Sequence, residues 1–555
     1  MENTRYMHEL IEYIINGKPG KDSITRKKIE CCAKYNLKRI PTDVDIMLSA
    51  SQSELPLIKQ YLRTKPGRSL SGVSVVAIMT KPAKCPHGRC SMCPGGIASP
   101  FGDVPQSYTG TEPATLRGIR NRYDPYLQVF NRLEQYVALG HMAEKVELII
   151  MGGTFPARGA YCEEFVKYAL KAMNDFSGLF CRELVDYRSF MDFFGLPGII
   201  GSKERAAKIR KELLKLRGRT TLEREQKRNE ASGVRCIGLT VETRPDYGML
   251  EHANNLLGLG CTRVELGVQS IYDSALRKID RGHTVADSIK STQILKDLGF
   301  KVNYHMMLGL PGVTGQLDIE AIKALFKRDG FQPDMLKLYP CMVARGTRLH
   351  DAWKSRDYRP LTTKKAAALI AEIKRYIPGY VRIMRIQRDI PTKMIEAGVD
   401  RTNLRQYVKE ELLRRGISCR CIRCREPGNA QGLIPHIKTA GYQASKGREF
   451  FISAEDNDYL LGFCRMRFPS RSLRREITDG TAIIRELHVY GEAAAIGAEG
   501  EIQHRGLGKR LLKHAEMIAK KHKKNRILVI SGIGVRSYYR MLGYRRSGPY
   551  MGKGL

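Results

Sequence analysis

The sequence predicts an α/β chain: a domain of repeated βα units, preceded by a basic helical segment and followed by a compact α+β domain. Three observations predict it. From Val73 onward, the short apolar runs VSVVAIM, VELIIMGGTF, RCIGLTVET, TRVELGVQS, KVNYHMMLGLPG and MLKLYP alternate with longer amphipathic stretches, as parallel strands joined by crossover helices do. After Gly441 the rhythm changes to REFFISAE, YLLGFCRMRF, AIIRELHVYG, a helical GLGKRLLKHAEMIAKKH, then RILVISG and RSYYRMLGY, which fits a small α+β domain. At 555 residues the chain is also too long for one hydrophobic core.

The elements follow in order. Residues 1–68 read as basic helices: between Lys18 and Arg39 eight Lys and Arg face only Asp22 and Glu30. An RNA-contacting arm and a plain solvated helix both fit. Residues 69–390 hold the βα repeat, either a barrel or an open doubly wound sheet, with its chemistry at the C-terminal strand ends. Lys203 to Arg228 interrupts the repeat with eleven basic residues and four Glu, and reads as a surface insertion or extended basic helix near RNA. Residues 374 to 425 are again basic and read as an interdomain connector ending in CRCIRC. In domain terms the connector spans 391–440 and the last domain 441–555.

Composition narrows the function. Lys plus Arg number 94 against 57 acids, a net charge of +37, so a polyanion is the natural partner, held through counterion release. Fourteen Cys in a chain whose start reads as non-secretory, and which is therefore expected to be cytosolic, point to metal or redox work rather than disulfides. No apolar run approaches the roughly 20 residues that span a bilayer. A cytoplasmic location without membrane association is therefore expected.

Cys85, Cys90 and Cys93 in KCPHGRCSMCPGG form a C-x4-C-x2-C loop directly after VSVVAIM. Three thiolates from one loop suit a [4Fe–4S] cluster with one iron left open. A structural zinc would want a fourth ligand, and only His87 is close, inside the longer spacer. At the ends of the following apolar runs stand Gly152 and Gly153, Glu242 and Arg244, Glu265 and Gln269, and His305, all candidate rim positions.

The cysteine loop resembles that of radical S-adenosylmethionine (SAM) enzymes, although most of them space the cysteines C-x3-C-x2-C. With SYTGTEPATLRGIRNRYDPY, MGGTFP, TVETRPDY, ELGVQSIYD, RGHTV, LKLYP, RIQRDIP, ELHVYG and GPYM, nearly the whole chain is similar to the catalytic subunit of Elongator in an archaeal or bacterial form. That resemblance implies a radical SAM partial (βα) barrel, with Cys85, Cys90 and Cys93 on a [4Fe–4S] cluster and Gly152 and Gly153 beside SAM.

The second cluster, QHRGLGK at 503–509, opens a helix. Backbone N–H groups and the positive dipole end there suit the pyrophosphate of coenzyme A. Its strand-before and strand-after context resembles the GCN5-related N-acetyltransferase fold. The resemblance implies that Glu486, Leu487, His488 and Val489 line pantetheine, and that Leu507, Gly508 and Lys509 hold phosphates. Tyr539 would bond the thioester or the leaving thiol, a fitting task for a phenol. Lys145, before VELIIMGG, matches a lysine that contacts acetyl-CoA from the barrel domain, so Lys145, His488 and Tyr539 are the residues expected in the chemistry.

Cys419, Cys421 and Cys424 in CRCIRC resemble a structural zinc site short of one ligand, with His436 or a distant Cys as candidates; reduced free thiols fit as well.

The resemblance implies modification of the tRNA wobble uridine. A SAM-derived 5′-deoxyadenosyl radical takes hydrogen from the acetyl methyl of acetyl-CoA, the carbon radical adds to C5, and thioester hydrolysis leaves 5-carboxymethyluridine. The expected partners are the anticodon region of tRNA and an external electron donor, with a homodimer left open. The alternative is a protein lysine acetyltransferase with a structural cluster. Polar acyl transfer needs no iron–sulfur centre, whereas C–C bond formation at an unactivated methyl does, which favours base modification.

Overall fold

A computed structural model of the chain describes residues 2–37, 39–51, 53–62, 72–141, 143–181, 185–196, 202–428, 430, 432–490 and 506–555. The chain divides into two compact units. Residues 1–76, 125–147 and 165–236 form one, and residues 77–124, 148–164 and 237–555 the other.

In the first unit the basic N-terminal run folds as helices Glu2–Gly17, Lys21–Lys34, Asp43–Ser49 and Leu55–Leu62. Their apolar sides meet in a core around Leu10, Ile14, Ile24, Ile46 and Ile58. The third starts at a reciprocal cap, the Thr42 side chain accepting from Asp45 N–H while the Asp45 carboxylate accepts from the Thr42 N–H. Part of the basic run is spent internally, since Lys27 and Lys34 both pair with Glu9 at 2.9 and 2.8 Å. The stretch from Lys203 to Arg228 forms two helices, Lys203–Arg217 and Leu222–Asn229, capped by Ser202 and Thr221.

A seven-stranded sheet is built from β1 (Val73–Met79), β2 (Lys145–Met151), β3 (Arg235–Thr243), β4 (Arg263–Gln269), β5 (Lys301–Leu308), β6 (Met335–Pro340) and β7 (Arg382–Arg385). Its strand order is the chain order. The pairs from β3 to β7 are parallel. A doubly wound sheet reverses its strand order at a switch point. This one does not, which settles the partial barrel over the open sheet. Every residue of β6 and all but Gln269 of β4 are buried, as expected for strands covered on both faces. β7, sequence RIMR, falls in the stretch read as a connector. Its two terminal arginines, of which only Arg385 is exposed, and its four-residue length hid it among the surrounding charges.

The second sheet comprises β8 (His436–Ala444), β9 (Gly447–Asp456), β10 (Tyr459–Phe468), β11 (Thr481–Val489), β12 (Arg526–Val529), β13 (Arg545–Ser547) and β14 (Tyr550–Gly554), in the order β8-β9-β10-β11-β12-β14-β13. Only β11 and β12 pair in parallel, from Thr481↔Arg526 to Ile484↔Val529, and the last five residues of β11 run on past their neighbour. Helix Leu507–Lys521 packs Leu507, Leu511, Leu512, Ala515 and Ala519 into the core of this sheet.

Within the second unit, one face of this sheet meets the N-terminal rim of β5 and β6 through charged groups that are almost wholly buried. Asp334, one residue before β6, pairs with Arg485 at 2.5 Å and Lys296 at 3.5 Å, and lies 3.8 Å from Arg465. Glu449 takes Arg485 at 2.9 Å, Arg467 at 3.0 Å and Lys296 at 3.3 Å. Asp297 takes Arg467 at 2.6 Å, and Glu486 takes Arg465 at 2.8 Å. Four cations thus face four carboxylates. The backbones also approach closely here: a Cβ on Gly532 would collide with the Ile237 carbonyl oxygen.

Removing one partner from a buried ion pair leaves an uncompensated charge, a loss of about 3–5 kcal/mol, whereas a more exposed pair contributes about 0–1 kcal/mol. Asp334→Ala is therefore expected to lower the urea midpoint clearly, and Arg345→Ala, whose side chain is 75% exposed in its pair with Glu396, to lower it little. Equal midpoints for the two variants would show that the network does not hold the second sheet to the rim of β5 and β6.

Candidate active site

The cysteine loop follows β1 and crosses the C-terminal strand ends. Cys90 is buried, and Cys85 and Cys93 are half-buried. The His87 ring lies between two of the thiols, with Nδ1 3.1 Å from Cys85 Sγ and Nε2 3.1 Å from Cys90 Sγ. A neutral imidazole has one N–H, so at least one of these contacts has sulfur as donor. The Ser107 N–H donates to Cys93 Sγ at 3.3 Å, and Arg281 donates to Cys90 Sγ at 3.7 Å while its other nitrogens bond the Gly267 carbonyl. Burial pushes the Cys85 and Cys90 thiols up, and nearby guanidiniums, Arg244 and Arg281 for Cys85 and Arg281 for Cys90, pull them back. Positive charge beside the loop is what a set of thiolates on iron requires.

Gly152 and Gly153 follow β2 with φ of +118° and +107°. A Cβ on either would collide, with Thr80 Oγ1 in the first case and the Gln106 amide in the second, so both the backbone angle and the packing demand glycine. At the adjacent strand ends, Arg244 NH1, Thr243 Oγ1 and Gln269 Oε1 are buried without hydrogen-bond partners among the described residues. Arg244 otherwise grips Asp246 through Nε and NH2 at 2.8 and 2.7 Å. Buried polar atoms left open around a glycine turn and a three-thiol loop fit a polar cofactor bound there. Burial, with Arg281 and Arg244, pushes His283 down to about 2, which keeps it neutral beside them.

Deeper in the barrel, Glu242, Glu265 and His305 come together as one polar group, joined by Lys337 and Tyr108. Sequence reasoning singled out the first three but not Lys337, Tyr108, Asn303 or Arg281. The signal for Lys337 was a charged residue inside the otherwise apolar run MLKLYP.

In the second sheet, Glu486, Leu487, His488 and Val489 form the overhanging end of β11, and their side chains alternate. Glu486 pairs with Arg465, and the His488 ring stacks on Phe463 with centroids 5.7 Å apart. Leu487 and Val489 face the helix start, where a Cβ on Gly508 would stand 4.0 and 3.8 Å from them. Gly506 caps that helix in the left-handed region at φ +75°, and Leu507, Gly508 and the exposed Lys509 form its first turn. Gln503, His504 and Arg505 lie outside the described residues. Tyr539 is 6% exposed and sits in the core with its ring 5.8 Å from that of Tyr544, while the neighbouring Tyr538 is the tyrosine whose hydroxyl approaches Gly508. Burial raises the Tyr539 hydroxyl well above the usual phenol range, so it stays a proton donor. Lys145 opens β2, the strand that leads into Gly152. It is half-buried, and burial and then Arg235 lower its ammonium.

The thiols of Cys419, Cys421 and Cys424 all lie within 4.8 Å of one another. The buried Lys374 ammonium stands 4.0 Å from Cys421 Sγ and 3.5 Å from Cys424 Sγ. The trio supplies three of the four ligands a structural zinc takes, and among the described residues no fourth Cys, His or carboxylate joins the group.

Comparison with known proteins gives four family matches along the chain: the ELP3 N-terminal domain over residues 4–70, the radical SAM superfamily over 80–325, the radical SAM C-terminal domain over 333–414 and the acetyltransferase (GNAT) family over 420–544. The chain is 46% identical to the tRNA uridine(34) acetyltransferase of Methanocaldococcus infernus, covering 98% of each protein. It is 39% identical to Elongator complex protein 3 of Homo sapiens, covering 98% of this chain and 96% of that one. The solved structure of M. infernus Elp3 with residues 1–46 deleted superposes with a TM-score of 0.70 at 41% identity, over 87% of this chain and 99% of that one. The radical SAM match implies a [4Fe–4S] cluster and SAM, and the acetyltransferase match implies acetyl-CoA.

Two losses are expected. Cys90→Ala should abolish the visible iron–sulfur absorption after anaerobic reconstitution. Gly153→Ala, forced into both a left-handed backbone and the Gln106 side chain, should lower SAM affinity at least tenfold by equilibrium dialysis while iron content holds. Unchanged SAM binding in Gly153→Ala would detach this turn from the cofactor.

Proposed function

The chain belongs to the family of the archaeal tRNA uridine(34) acetyltransferases and Elongator complex protein 3, and from this premise we propose that it converts the wobble uridine of tRNA to 5-carboxymethyluridine, drawing the two carbons from acetyl-CoA. The observation that carries the reading is the fusion, in one chain, of a three-cysteine loop on a parallel partial barrel to an acetyltransferase-type sheet. When bound, the cluster and SAM supply a 5′-deoxyadenosyl radical able to take hydrogen from an acetyl methyl.

The chain's own residues do the rest. Cys85, Cys90 and Cys93 hold iron, with Arg244 and Arg281 offsetting thiolate charge. Gly152 and Gly153 give SAM close access to backbone, and Gln269 Oε1 and Arg244 NH1 are available to its polar groups. The β11 overhang from Glu486 to Val489 binds pantetheine, and Leu507, Gly508 and Lys509 at the positive helix end hold phosphates. Tyr539, kept protonated by burial, donates to the thioester oxygen or the departing thiolate, and Lys145 and His488 complete the acetyl-CoA contacts. The charge of +37 attracts the tRNA. An external donor supplies the electron for SAM cleavage. Cys419, Cys421 and Cys424 hold a structural zinc.

Anaerobic incubation with SAM, acetyl-CoA, dithionite and unmodified tRNA, followed by nucleoside mass spectrometry, should give a carboxymethyluridine peak that is absent in Cys90→Ala. No new nucleoside despite a filled cluster and bound tRNA, with acetylation of a lysine peptide in the absence of SAM, would move the function to protein acetylation. For the zinc, metal analysis of the purified chain should show about one zinc that Cys421→Ser loses, with a lower thermal midpoint. Zinc retained in that variant would remove these cysteines from the site.

A further inference from the structure

Lys374 is the last residue of the helix Thr363–Lys374, which leads toward β7, and only 3% of it is exposed. Its ammonium stands beside the CRCIRC loop, 3.5 Å from Cys424 Sγ and 4.0 Å from Cys421 Sγ, and Cys419 adds to the attraction. No carboxylate pairs with it among the described residues. Burying an ammonium costs several kcal/mol unless negative charge lies against it, and neutral thiols are too weakly polar to supply that. The loop therefore carries negative charge.

Three thiolates whose sulfurs all lie within 4.8 Å of one another repel, and one ammonium still leaves the set doubly negative. A divalent ion among them resolves this: +2 against −3 leaves −1, which Lys374 brings to zero. All fourteen cysteines of the chain are described, and none besides these three joins the group. His436, a candidate fourth ligand from its place in the sequence, stays outside it as well. A fourth thiolate would in any case set −2 against the one buried ammonium. Cys424 is exposed, so water reaches the remaining place. Arg405 and Arg423 add positive charge on the side of Cys421 and Cys424, so an incoming anion meets no net repulsion there.

The loop does not need a fourth protein ligand to hold its shape. The Ile422 N–H donates to the Val381 carbonyl at 2.9 Å, and the Leu460 N–H donates to the Arg425 carbonyl at 2.7 Å. Arg425 donates to the Gly379 carbonyl at 2.7 Å and pairs with Glu455 at 2.9 Å. These bonds tie the thiols to the run before β7 on one side and to the β9–β10 hairpin on the other.

We infer that Lys374 is the counter-cation of a three-thiolate zinc whose fourth place is filled by exchangeable solvent. The inference rests on the zinc reading above. It adds what that reading leaves open, namely which group balances the thiolates and what stands where the fourth ligand is missing. Lys374 acts on the metal through the thiolates, and the open place suits a soft incoming ligand, a thiolate above all.

The test uses the full chain with its iron–sulfur cluster filled. Zinc-edge X-ray absorption, which iron does not mask, should show three sulfurs at about 2.3 Å and one oxygen at about 2.0 Å, and added 2-mercaptoethanol should raise the count to four sulfurs. Dialysis against zinc-buffered nitrilotriacetate, with zinc counted by elemental mass spectrometry, should show Lys374→Met binding zinc about 10–100-fold more weakly than wild type, the loss expected when a partner of the metal's ligands is removed. Lys374→Arg should recover most of that affinity, and both variants should keep cluster iron and acetyl-CoA binding within twofold of wild type. No zinc in wild type at saturation would sink the zinc reading itself. Bound zinc with Lys374→Met within twofold of wild type would overturn the counter-cation. A fourth sulfur or an imidazole already in place, or a fourth ligand that the thiol leaves untouched, would overturn the solvent place.

Discussion

Eight charged side chains packed between the rim of the partial barrel and the face of the second sheet constrain most of what this protein can do. Asp334 and Glu449 each serve several cations at once, and Arg467, Arg485 and Lys296 are fully buried. Such groups are stable only when every charge has its partner in place, because desolvating an unpaired ion in a protein interior costs several kcal/mol. The consequence is orientation: apolar surfaces tolerate sliding and repacking, but an interlocked set of carboxylates and guanidiniums has one arrangement that satisfies all its members.

The network also lies one step from both chemical regions. Asp334 immediately precedes β6, and three residues later the same strand carries Lys337 into the barrel interior. Arg465 bridges from the Asp334 neighbourhood to Glu486, in the overhang of β11. Strands are stiff over this length, so the positions of the inner polar group and of the β11 overhang are both referred to one carboxylate. The opposite ends of the barrel strands remain available for the cysteine loop, the glycine turn after β2, and the unpartnered polar atoms of Arg244 and Gln269. Division of labour between strand ends is general for parallel barrels: stability collects at the N-terminal face and chemistry at the C-terminal one.

Much of this was legible in the residues. The apolar runs from VSVVAIM to MLKLYP marked six of the seven barrel strands, because buried parallel strands write themselves as near-continuous hydrophobic runs. β7 and β8 left weaker traces. RIMR is short and flanked by arginines, and HIKTAGYQA is largely exposed along its length, so neither carries the pattern that burial imposes. The cysteine loop, Gly152 and Gly153, and the rim residues Glu242, Glu265 and His305 were visible as residue types at strand ends. Lys337, Tyr108 and Asn303 were not, since a lysine in an apolar strand, a loop tyrosine and an asparagine acquire meaning only from their neighbours.

The sequence by itself determined the chemistry available: three thiols at one spacing, a glycine-led helix start, a second thiol trio, and a charge suited to a polyanion. Local spacing suffices for these because each is made by residues within one loop or one turn. Only the tertiary structure decided between a barrel and an open sheet, brought Glu242, Glu265, His305 and Lys337 from four strands onto one face, seated Tyr539 in the core with Tyr538 toward Gly508, and matched four buried cations to four carboxylates. Those outcomes depend on strand order, register and pairing between residues tens to hundreds of positions apart, and no local pattern in a single chain encodes them.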